Sequence, residues 1–389
     1  MRGIFERSVV GRNPALVTIV GLGIVNHVVL AGSRVTVTLD ALRQGTSTAA
    51  VGLLLALFAL LPAFFAVAAG RLSDRIGARR PMIAGSIVLA LGALLPLVVR
   101  GLPGLFVSAA VMGVGFMLFQ VPAQNAAGAL GPPAERAHNF STLALGYAIS
   151  GLLGPLVAGF AIDHAGFVAT FAIFVLLPIL PAAVLARGRP VLPNPHPRAA
   201  EVRKGGAIEL LTHRKLRRAF LVNVLLAMAW DLNTIVIPVY GNSIGLSASQ
   251  IGVILACFAA ATLVVRLAMP WILRRANEHQ ILTIALFIAG SVYMVFPFSH
   301  SAGTLMALCF CLGLGLGMSQ PMVMSLLHTH APEGRAGEAA GVRMSLVQAM
   351  AVGVPLTFGT LGATVGMAPV FWSVGLLLTG GGLFSRPPR

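Results

Sequence analysis

The stretch that decides the fold is 70–80, which reads Gly-Arg-Leu-Ser-Asp-Arg-Ile-Gly-Ala-Arg-Arg. It is a short charged segment between two apolar runs, 47–69 and 82–99. A helix that crosses a bilayer needs about 20 predominantly apolar residues, and both runs are close to that length. A charged segment that joins two such runs is typical of a loop between transmembrane helices.

The same alternation continues along the whole chain of 389 residues, of which 57% are hydrophobic and only 10% charged. Soluble domains carry about 25% charged residues, so a chain this apolar is expected to bury surface in lipid. The mean hydropathy of +0.90 agrees. The apolar runs predict twelve spans, at 15–39, 47–69, 82–99, 104–127, 139–162, 165–186, 218–240, 249–271, 280–298, 303–327, 338–361 and 365–384.

The positive charge of the chain follows topology. The net charge is +16, and with the N-terminus inside, 22 of the 27 Lys and Arg residues fall in cytoplasmic segments. Only Arg43 and Arg100 fall in external loops. Because cytoplasmic loops of membrane proteins are rich in Lys and Arg, both termini are predicted to be cytoplasmic. This distribution argues against a nucleic-acid-binding face.

The chain also repeats itself at an offset of 200 residues, with glycines, prolines and polar residues recurring in matching positions. The recurring pairs include Gly45/Gly245, Ser47/Ser247, Gly52/Gly252, Gly113/Gly313, Gly115/Gly315, Gln120/Gln320, Pro132/Pro332, Pro155/Pro355, Gly159/Gly359 and Gly166/Gly366. An internal repeat of this length, together with twelve apolar runs, predicts two parallel six-helix repeats. The predicted organisation is an N-terminal half (1–186), a proline-containing cytoplasmic linker (187–217) and a C-terminal half (218–389).

The 70–80 segment closely resembles the G-x-L-a-D-r-x-G-r-[kr] signature of the major facilitator superfamily, which occupies the same cytoplasmic loop. The glycines are expected to permit a tight turn, and the arginines to hold the loop at the membrane surface. The resemblance implies that Asp74 docks against a helix N-terminus of the opposite half, where the helix dipole stabilises a carboxylate. The residues assigned to gating are Gly70, Asp74, Arg75, Gly77, Arg79, Arg80, Gly154 and Pro155.

Gly154 and Pro155 belong to the fifth span, where 150–159 resembles a small-residue motif of the drug:proton antiporter branch. Small residues let helices approach closely, and a proline supplies a bend. Ala109 stands where that branch carries an arginine associated with proton coupling. The resemblance covers the whole chain at the level of the superfamily, with a bacterial antiporter as the nearest branch.

Ionisable side chains inside apolar runs are costly, so they are candidate functional groups. His27 lies in the middle of the first run, and Asp231 lies one turn beyond position 227, its repeat equivalent, on the same helical face. We therefore expect both to face one cavity and to exchange protons. Arg34 continues the face of His27, although it could also extend outward to the membrane surface. A purely structural hydrogen bond remains the alternative for His27 and for the glutamines.

The resemblance implies that spans 1, 4, 7 and 10 line the central cavity. The residues predicted to bind substrate are Asn26, Arg34, Gln120, Gln124, Tyr147, Asn223, Trp230, Gln320, Arg343 and Gln348.

The sequence contains no Walker loop, zinc-protease motif or nucleophile elbow, so an enzyme or an ATP-driven pump is not expected. The three cysteines lie in apolar runs, and no metal or cofactor is predicted. The predicted function is secondary transport of a small organic solute across the bacterial inner membrane by a monomer, with proton-coupled efflux preferred. The alternatives are uptake or exchange of a small organic anion and, from another class, a non-transporting membrane sensor.

Overall fold

The computed structural model describes residues 13–131, 135–188, 192, 207–330 and 336–385. The regular elements in this part of the chain are all helical. They are α1 (Pro14–Arg43), α2 (Thr48–Ile76), α3 (Arg79–Val98), α4 (Leu102–Ala129), α5 (Arg136–Leu176), α6 (Ile179–Ala186), α7 (Ala207–Thr212), α8 (Arg214–Ser243), α9 (Ala248–Ile272), α10 (Glu278–Val295), α11 (Ala302–Gly317), α12 (Ser319–His330), α13 (Ala336–Val365) and α14 (Met367–Ser385).

Eleven helical stretches among the described residues are long and apolar enough to cross a membrane. The longest, His138–Ala186, holds both the fifth and the sixth predicted spans. Gly166 divides it, because its φ of 79° is not helical. Except at its ends, a helix satisfies its backbone hydrogen bonds internally, which suits it to the bilayer core, where no solvent partners are available. Large apolar side chains such as Phe64 and Leu267 are mostly exposed, as lipid contact requires.

The chain divides into two compact units. Unit 1 comprises 1–40 and 57–199, and unit 2 comprises 41–56 and 200–389. The first part of α2 is therefore grouped with the C-terminal helices. In unit 2 a Cβ atom on Gly52 would overlap the carbonyl oxygen of Pro355 on α13, so only glycine permits this backbone contact.

The core of unit 1 lies where α1, α3 and α4 meet, around Ile19, Met82 and Phe119. Glycines bring α3 and α4 together, since a Cβ atom on Gly115 would overlap the backbone of Leu89. Unit 2 contains buried aromatic rings from α10, from the short 3-10 turn Phe296–Phe298 that follows it, and from α14. The ring centroids of Phe296 and Phe371 lie 5.3 Å apart in a stacked arrangement.

The predicted repeat is visible in backbone geometry. The first helix of the second repeat, α8, covers 214–243, the bounds of α1 shifted by 200 residues. Gly45 and Gly245 end these two helices with φ of 77° and 78°, a left-handed conformation that glycine adopts without strain. Gly166 and Gly366 form a second matched pair, at 79° and 80°.

The repeat extends to packing. A Cβ atom on Gly113 of α4 would overlap the carbonyl oxygen of Phe58, and one on Gly313 of α11 would overlap that of Phe258. The partners are again 200 residues apart. Glycine is retained at both positions because a helix crosses there at backbone distance.

Three helices differ from the predicted spans. The second span was expected to end at residue 69, but α2 continues to Ile76. The tenth predicted span is broken at Met318 into α11 and α12, and the sixth is interrupted near Pro178, between α5 and α6. A hydropathy window averages over such breaks, although Gly317, Ser319 and Pro321 around the first and Pro178 at the second are residues that disfavour a helix interior.

Candidate functional site

One stripe of α1 remains partly accessible while the rest of its central section is buried. Between residues 22 and 40 the half-buried positions are 24, 25, 27, 30, 31 and 34, and the others are buried. This spacing of three to four residues marks one helical face. His27 and Arg34 both lie on it, as the sequence predicts.

The same stripe appears on α8. Between residues 222 and 240 the half-buried positions are 224, 227, 230, 231 and 234. All five have an equivalent 200 residues earlier on the α1 stripe. Trp230 and Asp231 lie on this face, and Thr234 follows one turn later, where its hydroxyl donates to the Asp231 carbonyl oxygen at 2.8 Å.

His27 is held by polar and aromatic neighbours from α4 and α5. Its Nδ1 lies 2.6 Å from the Ser150 hydroxyl oxygen. Its ring centroid lies 5.2 Å from that of Phe116 and 5.2 Å from that of Tyr147. Arg34 is close enough to interact electrostatically with the imidazole of His27. Ser150 and Phe116 were not among the predicted site residues, although Ser150 is the first residue of the fifth-span motif at 150–159.

Gln120 and Gln124 converge on the hydroxyl of Tyr147. Both glutamines are half-buried on α4, one turn apart, and both side chains are near enough to the phenol to interact with its hydroxyl. Tyr147 Oη is nevertheless buried without a hydrogen bond of good geometry to any group that the structure describes. The structure thus brings together three of the predicted polar residues from two helices.

Asn26 lies apart from this cluster. It is fully buried, and its Nδ2 donates to Ser86 Oγ of α3 at 2.9 Å. Adjacent residues of an α-helix are rotated by about 100° around its axis. Asn26 therefore faces away from the His27 stripe and packs between α1 and α3.

In unit 2, Trp230 packs edge-on against Phe258 with ring centroids 4.8 Å apart. Asn223 is 5% exposed, and within the described chain its Nδ2 has no hydrogen-bond partner.

Two residues behind this face were not predicted. The Tyr293 hydroxyl donates to the Ala229 carbonyl oxygen at 2.6 Å and is close enough to Asp231 to interact with it electrostatically. Cys309 donates to Asn233 Oδ1 at 3.5 Å. An isolated tyrosine or cysteine in an apolar run gives no sequence signal that would reveal these contacts.

Two further side chains lie at the break at Met318. Arg266 of α9 donates from Nε to the Gly317 carbonyl oxygen at 3.5 Å, at the end of α11. Gln320 is exposed on the first turn of α12. Arg266 therefore lies at a helix end, where carbonyl groups lack intrahelical donors.

Two predicted residues lie on α13. Arg343 is only 8% exposed, and its Nε has no hydrogen-bond partner in the described part of the chain. Gln348 is half-buried.

The 70–80 segment is only partly a turn. Gly70 lies inside α2, so the expectation of a tight turn there is wrong, whereas Gly77 has a φ of 82° and does reverse the chain. Arg79 donates to the Gly188 carbonyl oxygen, beyond the end of α6, at 2.7 Å. Arg75 and Arg80 are exposed. The side chain of Asp74 lies outside the described part of the structure.

The fifth-span motif brings α5 against α1. A Cβ atom on Gly154 would lie 2.9 Å from the Gly32 nitrogen and 2.9 Å from the Val28 carbonyl oxygen. Pro155 follows within the helix. The predicted reason for the small residues, close approach of helices, agrees with this contact.

Three solved structures with similar folds are transporters. A mutant of the peptide transporter POT in complex with sulfate aligns with a TM-score of 0.80 and 15% identity, covering 99% of this chain and 97% of that chain. A second structure of a mutant of the peptide transporter POT gives a TM-score of 0.77 and 18% identity, covering 95% of this chain and 93% of that chain. A POT family transporter in complex with 5-aminolevulinic acid gives 0.79 and 14%, over 96% of each chain. At these identities the likeness shows the fold.

A search of curated proteins finds no match. The family model described as Major Facilitator Superfamily matches residues 19–355, most of the chain. This family consists of transporters rather than enzymes. The motif, the repeat, the fold and the family match agree, and the chain belongs to the Major Facilitator Superfamily.

Proposed function

We propose that this protein is a proton-coupled secondary transporter that moves a small organic solute across the bacterial inner membrane by alternating access. The observation that carries the proposal is the matched, partly accessible stripe on α1 and α8. Ionisable groups inside an otherwise apolar membrane helix cost free energy. Each stripe nevertheless carries such a group near its centre, His27 on α1 and Asp231 on α8.

Asp231 and His27 suit proton exchange for different reasons. A carboxylate inside a membrane span is stable when it is protonated or paired, so it can bind and release a proton as its surroundings change. The ordinary pKa of histidine, about 6.5, lies close to physiological pH. Asp231 is therefore assigned as the main proton-coupling residue, and His27 as a second residue that exchanges protons.

The proposed topology has both termini in the cytoplasm and the halves 1–186 and 218–389 joined by the linker 187–217. Asp74 would close the cytoplasmic side by docking at the N-terminus of α13 and would release it in the opposite state. The protein is expected to act as a monomer in the bilayer.

Efflux is the preferred direction because of the antiporter-like motif at 150–159. A specific observation favours the second candidate, uptake or exchange of an organic anion. Arg34 lies on the partly accessible stripe, and guanidinium groups bind carboxylates in bidentate fashion. Structures of similar fold include peptide transporters and a complex with 5-aminolevulinic acid. Peptides and 5-aminolevulinic acid also carry carboxylates.

The test is proton movement in proteoliposomes that contain a trapped pH-sensitive dye. Tetraphenylphosphonium, hydrocinnamate and dialanine serve as probes of three chemical classes. We expect at least one probe to move protons with the wild-type protein and to lose this effect in Asp231→Asn. If a probe binds the purified protein but is not transported and causes no proton movement, the result would contradict transport and favour a sensor.

A further inference from the structure

The cluster around His27 in unit 1 has a defined direction. Gly146 packs against Val20 and Ile24, and Gly154 packs against Val28 and Gly32, so α5 runs parallel to α1. Gly23 contacts Phe119 and His27 contacts Phe116, so α4 runs antiparallel to it.

This direction places the polar groups at opposite ends of the cluster. Gln120 and Gln124 follow Phe116 on the antiparallel helix, so they lie toward the start of α1. Arg34 lies seven residues after His27, which is about 10 Å further along the helix axis. His27 therefore stands between a group of amides on one side and a guanidinium on the other.

The amide end is incompletely satisfied. Tyr147 Oη is buried without a well-formed hydrogen bond to the described residues, although the side chains of Gln120 and Gln124 act on it. A buried hydroxyl without a partner is costly, and a ligand atom that bonds to it removes that cost. A phenol and two amides together offer donors and acceptors, so they suit a neutral polar group such as a hydroxyl or an amide.

The middle of the cluster is aromatic. The rings of His27, Phe116 and Tyr147 lie with centroids 5.2 Å, 5.2 Å and 6.5 Å apart, in tilted and edge-on arrangements. Such rings form an apolar wall that suits a flat or hydrocarbon ligand body.

The end of the cluster that contains the Arg34 guanidinium is expected to favour a negatively charged ligand group. A guanidinium carries a positive charge and presents a planar fork of donors, which matches a carboxylate. Its charge already reaches His27, and a cationic ligand in the same cluster would be repelled by it.

We propose that unit 1 binds an elongated amphipathic carboxylic acid along α1, with its carboxylate at Arg34, its apolar body against the His27–Phe116–Tyr147 rings, and a neutral polar group at Tyr147, Gln120 and Gln124. The proposal deepens the transport function proposed above and rests on it for its biological meaning. It names the substrate class, and it applies to either direction of transport.

The test is calorimetric binding to the purified full-length protein with three probes of nearly equal shape. Phloretate has a carboxylate at one end and a phenolic hydroxyl at the other, hydrocinnamate lacks the hydroxyl, and tyramine replaces the carboxylate by an ammonium group. We expect the wild-type protein to bind phloretate about fivefold more tightly than hydrocinnamate, the value of one neutral hydrogen bond. Tyramine is expected to bind most weakly.

Each end of the site is then removed separately. Tyr147→Phe should abolish the preference for phloretate over hydrocinnamate while leaving hydrocinnamate affinity nearly unchanged. Arg34→Gln should weaken both acids about tenfold or more, through loss of a charge-assisted bond, and should keep the hydroxyl preference. Arg43→Gln, an exposed position on the same helix, is the matched control and should change neither.

Tighter binding of tyramine than of phloretate would overturn the proposal with the wild-type protein alone, whatever the stability of the variants. So would a hydroxyl preference that survives Tyr147→Phe, or unchanged acid binding in Arg34→Gln. Binding of the acids in the expected order without transport in liposomes would support the site and contradict the transport function. Proton-coupled transport of tetraphenylphosphonium without acid binding would do the reverse.

Discussion

His27 Nδ1 lies 2.6 Å from Ser150 Oγ, and the same hydroxyl donates to the Tyr147 carbonyl oxygen at 3.0 Å. A serine hydroxyl carries one proton, so both contacts are hydrogen bonds only if His27 donates from Nδ1 to Ser150. In the neutral ring this leaves Nε2 as an acceptor. Ser150 thus determines which nitrogen of His27 is available to a proton or to a ligand.

The tautomer of His27 is directly measurable. In nitrogen NMR of histidine-labelled protein, with His27 assigned by comparison with His27→Gln, we expect the neutral ring to be protonated at Nδ1. Ser150→Ala should shift it toward a mixture of tautomers, because the acceptor is removed. Thr142→Ala, which removes a hydroxyl from the same helix at a distance from the ring, should leave the signal unchanged. A wild-type ring protonated at Nε2 would contradict the assigned direction of the hydrogen bond.

Asp231→Asn is expected to abolish the dependence of transport on the pH gradient, because the amide cannot bind or release a proton. The measurement compares solute flux in proteoliposomes with and without an imposed gradient. Asp163→Asn, at an exposed aspartate, is the control and should retain the dependence. If the gradient still drives flux in Asp231→Asn, another residue carries the proton.

Asp74→Asn is expected to slow transport about tenfold while leaving the thermal unfolding midpoint unchanged. A carboxylate at a helix N-terminus contributes up to about 2 kcal/mol, which is enough to shift the balance of two transport states by this factor. Glu209→Gln removes an exposed acid from α7 and should have no effect. Wild-type rates in Asp74→Asn would refute the latch.

Gly154→Ala is expected to lower the free energy of unfolding by about 1–3 kcal/mol, since the new methyl group must displace the backbone of α1. The matched control is Gly151→Ala on the same helix, where a Cβ atom would meet nothing within 4 Å. Alanine favours the helix there, so this variant should be neutral or stabilised by up to about 1 kcal/mol. Denaturation in mixed micelles measures both, and equal stabilities would show that the contact of Gly154 with α1 is unimportant.

Several features of the fold could be predicted because their causes are local or repeated. The length of each apolar run is matched to the bilayer, and this match defined the membrane-spanning segments. The repeat at 200 residues predicted equivalent helices, and Gly45 and Gly245 adopt nearly the same backbone angles. The stripe that contains His27 and Arg34 followed from helical periodicity.

Other features depended on contacts between distant residues. Asn26 was predicted to bind substrate beside its neighbour His27, but the partner on its side of α1 is Ser86 of α3, which is 60 residues away in the chain. The hydropathy of the run around Met318 did not indicate that α11 would end there, although Gly317, Ser319 and Pro321 are local signals of a break. The contact of Arg266 with Gly317 depends on two distant segments and had no sequence signal.

The sequence by itself determined the membrane class, the helical spans, the repeat and the family signature, since these depend on hydropathy, periodicity and short motifs. Only the tertiary structure decided which side chains meet: Ser150 and Phe116 lie beside His27, and two glutamines lie near the Tyr147 hydroxyl. The physical reason is that the rotation and crossing of a helix are set by the side chains it packs against, which lie far away in the chain.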